Sequence, residues 1–167
     1  GRIGQEVAAR AQAFEMKAIA HDPFISAEMA ATLGVELVSL DDLCARADYI
    51  SLHVPALPST RHLFNVERFA KCKKGVRIVN TARGELIDEA ALADAIDKGQ
   101  VAGAGLDVFD PEPPKNWRLA MLPQVVATPH IAASTKEAQE QVGSETAAAL
   151  RDFLNEGIIR NAVNFPS

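Results

Sequence analysis

The chain has 167 residues, 48% of them apolar and only 5% aromatic, and a formal net charge of -5. That length suits one domain with a core of Ala, Val, Leu and Ile. The acidic balance leaves no basic stripe for nucleic-acid phosphates, no apolar run approaches the ~18 residues of a membrane span, and no secretory leader opens the chain. Neither membrane nor nucleic acid is therefore an expected partner, and a cytoplasmic location is expected.

Gly1-Arg2-Ile3-Gly4 has the form of the end of a Gly-rich phosphate loop, but no strand stands before it. The chain is accordingly expected to be a piece of a longer protein. Val7, Ala8, Ala11 and Phe14 recur at helical spacing, predicting a helix over 4–14. A short apolar strand over 16–20 ends in His21-Asp22-Pro23. Ser26 caps an Ala-rich helix that ends near Gly34, a strand covers 35–38, and Ser39 or Asp41 caps a helix to about Ala47. Residues 49–54 form a strand broken by Pro55 and Pro58, and 65–70 a short helix.

The β-branched run 76–79 reads as a strand buried on both faces. It passes through Asn80-Thr81-Ala82 to Arg83 and Gly84, and Asp88 opens a helix to Lys98 with Ala91, Leu92, Ala95 and Ile96 on one stripe. The strand over 101–108 carries Gly103 and Gly105, which permit close approach of a neighbour. Pro111, Pro113 and Pro114 impose an irregular loop, 125–127 is a short strand, and 134–156 is one long helix stopped by Gly157. Residues 158–167 read as an extended linker. Strands and helices alternate, which predicts a parallel α/β sheet with helices on both faces. Cys44 and Cys72 are remote in sequence and form no CxxC pattern, so both read as reduced structural thiols.

Two constellations carry chemistry. The glycines at 1 and 4 allow a backbone to approach a pyrophosphate, and the helix that starts there turns its amides and positive end toward it. Asp22, at the end of the following strand, falls where a carboxylate accepts the adenosine ribose hydroxyls and repels a 2′-phosphate, which favours NAD over NADP. The second constellation is a set of strand ends: His53-Val54-Pro55, Thr81-Ala82-Arg83, Asp107 and Pro129-His130. In a parallel sheet they line one edge, where open α/β sheets bind ligands. Arg83 either grips a carboxylate through two parallel hydrogen bonds or caps a surface turn. Glu112 either reaches that edge and pairs with His130 for acid–base work or is a solvated loop residue. His21 and His62 carry no functional assignment. No His or Cys spacing suits a metal ion.

Arg83 within Asn80-Thr81-Ala82-Arg83-Gly84, Glu112 within 107–113, and Pro129-His130-Ile131 resemble, in order, the motifs of the D-2-hydroxyacid dehydrogenases. The resemblance spans nearly the whole chain. It implies a Rossmann-type doubly wound sheet over residues 1–133 whose first strand lies outside this sequence, a helix over 134–157 that returns to a substrate domain, and a linker over 158–167. It also implies NAD as cofactor, a small 2-hydroxy or 2-oxo acid as substrate, and a homodimer or larger homo-oligomer. Arg83 would bind the substrate, His130 would be the base, and Glu112 would orient His130. Gly1, Arg2, Ile3 and Gly4 would meet the pyrophosphate, Asp22 the ribose, and Asp107 the nicotinamide carboxamide. His53, Val54, Pro55, Thr81, Ala82, Arg83 and His130 would line the cofactor cleft.

Residues 57–61, 72–75, 133–139 and 161–164 are similar to the branch that oxidises 3-phosphoglycerate to 3-phosphohydroxypyruvate at the start of serine synthesis. The alternatives are a glycerate, glyoxylate or lactate type of dehydrogenase, and a non-catalytic NAD-sensing corepressor on the same fold. The piece by itself is expected to bind NAD weakly and not to turn over.

Overall fold

The computed structural model describes residues 1–160 and 162. The chain forms two compact units, Gly1–Pro129 and His130–Ser167. The first contains α1 (Arg2–Ala13), β1 (Ile19–Ala20), α2 (Ala27–Thr32), β2 (Glu36–Leu37), α3 (Leu40–Arg46) and β3 (Tyr49–Leu52). It continues through α4 (Val66–Lys71), β4 (Val76–Asn80), a 3-10 turn at Gly84–Leu86, α5 (Glu89–Asp97), β5 (Val101–Leu106) and β6 (Val125–Ala127). The second contains α6 (Lys136–Glu156).

All strand pairs are parallel. β1 pairs with β2, and β3-β4-β5-β6 form a separate four-stranded sheet. The strand expected over 16–20 narrows to two residues because β2 is its one ladder partner among the described residues. The helices begin where side chains can satisfy the first free amides. Ser26, Ser39, Asn65 and Asp88 each accept a backbone N–H three residues on.

The core lies between the larger sheet and α3, α4 and α5. Ile50, Leu52, Val76, Ile78 and Leu106 meet Cys44, Phe69, Leu92 and Ile96. Burial alternates along β3 and β4, so β4 is not buried on both faces as its apolar run suggests. Arg77 points outward and its guanidinium lies 5.4 Å from the Tyr49 ring centre, a cation–π contact on the exposed face. Gly103 meets the expectation of close approach, since a β-carbon there would lie 2.8 Å from the Gln124 carbonyl oxygen. Gly105 does not need to be glycine for this reason: its nearest neighbour would be a Val79 methyl at 4.0 Å. The free thiols Cys44 and Cys72, remote in sequence, are both buried, and Cys72 Sγ donates to Arg68 O at 3.3 Å. The neighbouring Cys44 and burial push the Cys72 thiol far above its ordinary value, so it stays protonated.

In the second unit, Thr135 caps α6 and Gly157, with φ 67°, closes it. Its buried residue is Asp152, held by Arg151 and Arg160, and the Arg151 hydrogen bond keeps its carboxyl below the ordinary range. Val142, Leu150, Phe153 and Leu154 are exposed. Of the extended linker expected over 158–167, residues 161 and 163–167 lie outside the described residues, as does most of the motif at 161–164. No helix among the described residues is long and apolar enough to cross a membrane.

Candidate functional site

The register of the larger sheet sets the geometry. Leu52 is level with Asn80, Asn80 with Leu106, and Leu106 with Ala127. His53, Thr81, Asp107 and Thr128 are therefore the next residues of four adjacent parallel strands, roughly 4.8 Å apart from strand to strand. The edge continues the ladder for one more step, with Asp107 N–H donating to Asn80 O at 3.0 Å and Thr128 N–H to Leu106 O at 2.9 Å. Asp107 is buried, and Thr128 Oγ1 donates to its carboxylate. The His53 ring is within hydrogen-bond distance of Ser51 Oγ, at 2.9 Å, and burial holds its pKa below 6.5. Val54 is half-buried beside it, and the Pro55 carbonyl accepts the Thr60 hydroxyl.

Arg83 owes its placement to Asn80. A polar side chain at the end of a buried strand needs partners. Asn80 is 1% exposed, and it finds them in the turn that follows. Its Oδ1 accepts Ala82 N–H and its Nδ2 donates to Arg83 O at 2.8 Å. The turn thus closes on itself and leaves Thr81 and the Arg83 side chain exposed. The Arg83 guanidinium reaches the Ala82 carbonyl, and no carboxylate among the described residues neutralises it. An unpaired arginine at a strand end is suited to an anionic ligand.

Gly84 follows at a place where nothing larger fits. A β-carbon there would lie 2.1 Å from the carbonyl carbon and oxygen of Phe109. The turn after Arg83 is thereby packed directly on the loop after β5. That loop carries Glu112, whose Oε1 accepts Phe109 N–H at 3.0 Å, and its Asp110-Pro111 and Glu112-Pro113 bonds are cis. Glu112 is exposed. His130 opens the second unit and has φ 55°, a left-handed backbone that is uncommon outside glycine.

The start of α1 and the turn after β1 hold the remaining residues singled out in the sequence. Gly1 is the N-cap of α1, with no side-chain cap and no acidic residue in the first turn to offset the positive end of the helix. Gly4 packs against the His53 ring, which brings the start of α1 to the carboxyl end of β3. Asp22 follows β1 and accepts Phe24 N–H at 2.9 Å through one oxygen. The Thr128 contact with Asp107 and the close fit at Gly84 depend on tertiary neighbours, whereas the Asn80 clasp is local. A polar residue closing a buried strand was the one signal that could have singled out Asn80. Among the described residues no cluster of three His, Cys, Asp or Glu side chains could hold a metal ion.

Residues 1–132 match the family described as D-isomer specific 2-hydroxyacid dehydrogenase, NAD binding domain. The chain belongs to this family. It is 54% identical over 164 residues to D-3-phosphoglycerate dehydrogenase of Mycobacterium tuberculosis, covering 98% of this chain and 31% of that protein. With the enzyme of that name from Methanocaldococcus jannaschii the identity is 49%, over 100% of this chain and 32% of the relative. The chain thus spans about a third of the length of the curated relatives it matches. A D-isomer specific 2-hydroxyacid dehydrogenase from Lactobacillus delbrueckii, solved in its NAD-complexed form, superposes with a TM-score of 0.89 at 31% identity, over 98% of this chain and 54% of that one. The fold is the Rossmann-like α/β fold of the NAD-binding domain in this dehydrogenase family. The start of α1, the Asp22 carboxylate and the row of polar strand ends all lie within the residues that the family match covers.

Proposed function

We propose that the protein carrying this chain is an NAD-dependent dehydrogenase that oxidises 3-phosphoglycerate, a D-2-hydroxy acid, to 3-phosphohydroxypyruvate in serine synthesis. The observation that carries the reading is Arg83, a guanidinium with no carboxylate partner among the described residues, clasped by Asn80 at the carboxyl edge of the sheet. The two D-3-phosphoglycerate dehydrogenases, at 54% and 49% identity, favour the phosphorylated substrate.

When bound, NAD accepts the hydride from C2 of the substrate. The Arg83 guanidinium binds the substrate carboxylate and steadies negative charge on oxygen in the reducing direction. His130 takes the hydroxyl proton as the C2 hydride leaves, and the Glu112 carboxylate orients the imidazole and stabilises its cationic form. The α1 amides at Arg2 and Ile3 face the pyrophosphate, and Asp22 accepts the ribose hydroxyls. Asp107, fixed by Thr128, contacts the carboxamide, while His53, Val54, Pro55, Thr81 and Ala82 line the cleft. The free buried cysteines fit a reducing cytoplasm, and a homo-oligomer is the expected assembly.

A second reading keeps the chemistry and changes the acid. A glyoxylate reductase from Paecilomyes thermophila superposes with a TM-score of 0.88 at 41% identity, over 98% of this chain and 50% of that one. The deciding assay follows NADH formation by the full-length protein with 3-phosphoglycerate, glycerate and lactate in parallel. The expected outcome is the highest kcat/KM with 3-phosphoglycerate. Preference for an unphosphorylated acid selects the second reading, and tight NAD binding without turnover of any acid overturns both.

A further inference from the structure

Glu89 lies outside the row of strand ends and has no part in the reaction described above. It is the first residue of α5, where an acidic side chain ordinarily serves the positive end of the helix. That work is already done by Asp88, whose Oδ1 accepts Ala91 N–H at 3.0 Å. Glu89 instead extends away from its helix to a residue 21 positions on, and its Oε1 accepts Asp110 N–H at 2.8 Å. The carboxylate is half-buried, and burial pushes its pKa up, a cost an ordinary surface carboxylate would not carry.

The loop it holds is the one that carries Glu112. Two consecutive amides are pinned by two different carboxylates: Phe109 N–H by Glu112 and Asp110 N–H by Glu89. The Asp110 side chain is held in turn by Arg61 Nη2, at 3.0 Å, from the segment after β3. On its other side the Phe109-Asp110 peptide meets Gly84, the residue next to Arg83. Arg61, His62, Asp88, Asp110 and Arg118 are the other charged or titratable groups around the same pocket of about 340 Å³.

We propose that Glu89 is a positioning residue: by holding the Asp110 amide it fixes the peptide from which Glu112 hangs and against which the Arg83 turn is packed. The inference rests on the dehydrogenase reading and adds to it a residue that acts through Glu112. Losing the contact frees an amide donor and lets the loop shift. A displacement of about 1 Å at a catalytic constellation lowers turnover by up to about 100-fold.

The test uses the full-length protein with Glu89→Ala, Glu89→Asp and Glu89→Gln, each alone and with Glu112→Gln. E89A should lower kcat by about 10-fold while KM for NAD stays within about twofold. E89D keeps the charge but is one methylene short, so it should behave like E89A and carries the test if E89A does not fold. E89Q keeps an acceptor oxygen at the right reach and should restore most of the rate. With Gln at 112, E89A should cause no further loss, because its effect passes through Glu112. Hydrogen exchange at the Asp110 amide should quicken in E89A. Unchanged kcat in E89A and E89D, or a full second loss in the double variant, overturns the proposal, as does unchanged exchange at Asp110. If E112Q turns over normally, it is the assignment of Glu112 that fails, and the exchange result still reports whether Glu89 holds the loop.

Discussion

Apolar burial is uneven along the described residues of the first unit. From β3 onward the sheet carries a closed core with α3, α4 and α5, in which Ile78, Leu86 and Leu92 have no exposed surface. The residues before α3 bury far less: α1 has no buried residue, and Ala30 and Val35 are the buried apolar side chains of the first 40 positions. What holds that end is local and polar. Gln12 Nε2 donates to the carbonyls of Leu33 and Gly34, and Arg46 meets Glu36 with two hydrogen bonds of 2.7 Å. Apolar burial scales with area, whereas exposed ion pairs are worth little. Among the described residues the row of strand ends therefore rests on the closed core, and Asp22 and α1 rest on local polar contacts.

The contrast can be broken most forcefully in the core. Ile78→Ala should cost about 2–5 kcal/mol, read as a lower denaturant midpoint. Ile3→Ala, on a residue 66% exposed, should stay within about 0.5 kcal/mol. Equal costs would remove the distinction. Gly84→Ala comes next. The added carbon meets backbone rather than a flexible side chain, and overpacking of this kind should cost about 1–3 kcal/mol and displace Arg83, with turnover falling more than stability explains. Asp22→Ala should leave the denaturation midpoint alone and shift the NAD-to-NADP affinity ratio by about ten-fold toward NADP; an unchanged ratio removes Asp22 from the ribose site.

The smallest effect sits where the start of α1 meets the end of β3, at His53. Its folded-state pKa lies below 6.5, so the unfolded chain binds a proton more readily. The stability it contributes is present above pH 6.5 and is lost as pH falls through the folded value. Replacing His53 with Asn should flatten that acid limb in pH-dependent melts, and an unaltered limb would show that the proton is taken up elsewhere.

Much of this was legible in the sequence because it is local. The caps at Ser26, Ser39 and Asp88 follow from side chains three residues before an amide, and β6 emerges as Val125–Ala127, as its apolar run predicts. The alignment of strand ends follows from one inference, that the sheet is parallel. The illegible parts need neighbours. In residues 76–79 Arg77 alone hints that one side of the strand is open, since Val79 and Ile78 look alike as letters but differ in burial. Thr135 caps α6 although Ser134 is an equally good acceptor by type, and the letters alone do not decide between them. Glu89 was indistinguishable from any first-turn acid until its partner 21 residues away was in place.

The Asn80 clasp has a consequence for how this segment can change over time. Connections at sheet edges ordinarily tolerate gained or lost residues. Here one side chain bonds the amide two positions on and the carbonyl three positions on. A single inserted residue between Asn80 and Ala82 would pull both partners out of reach. In this segment the residue count is therefore more constrained than the composition.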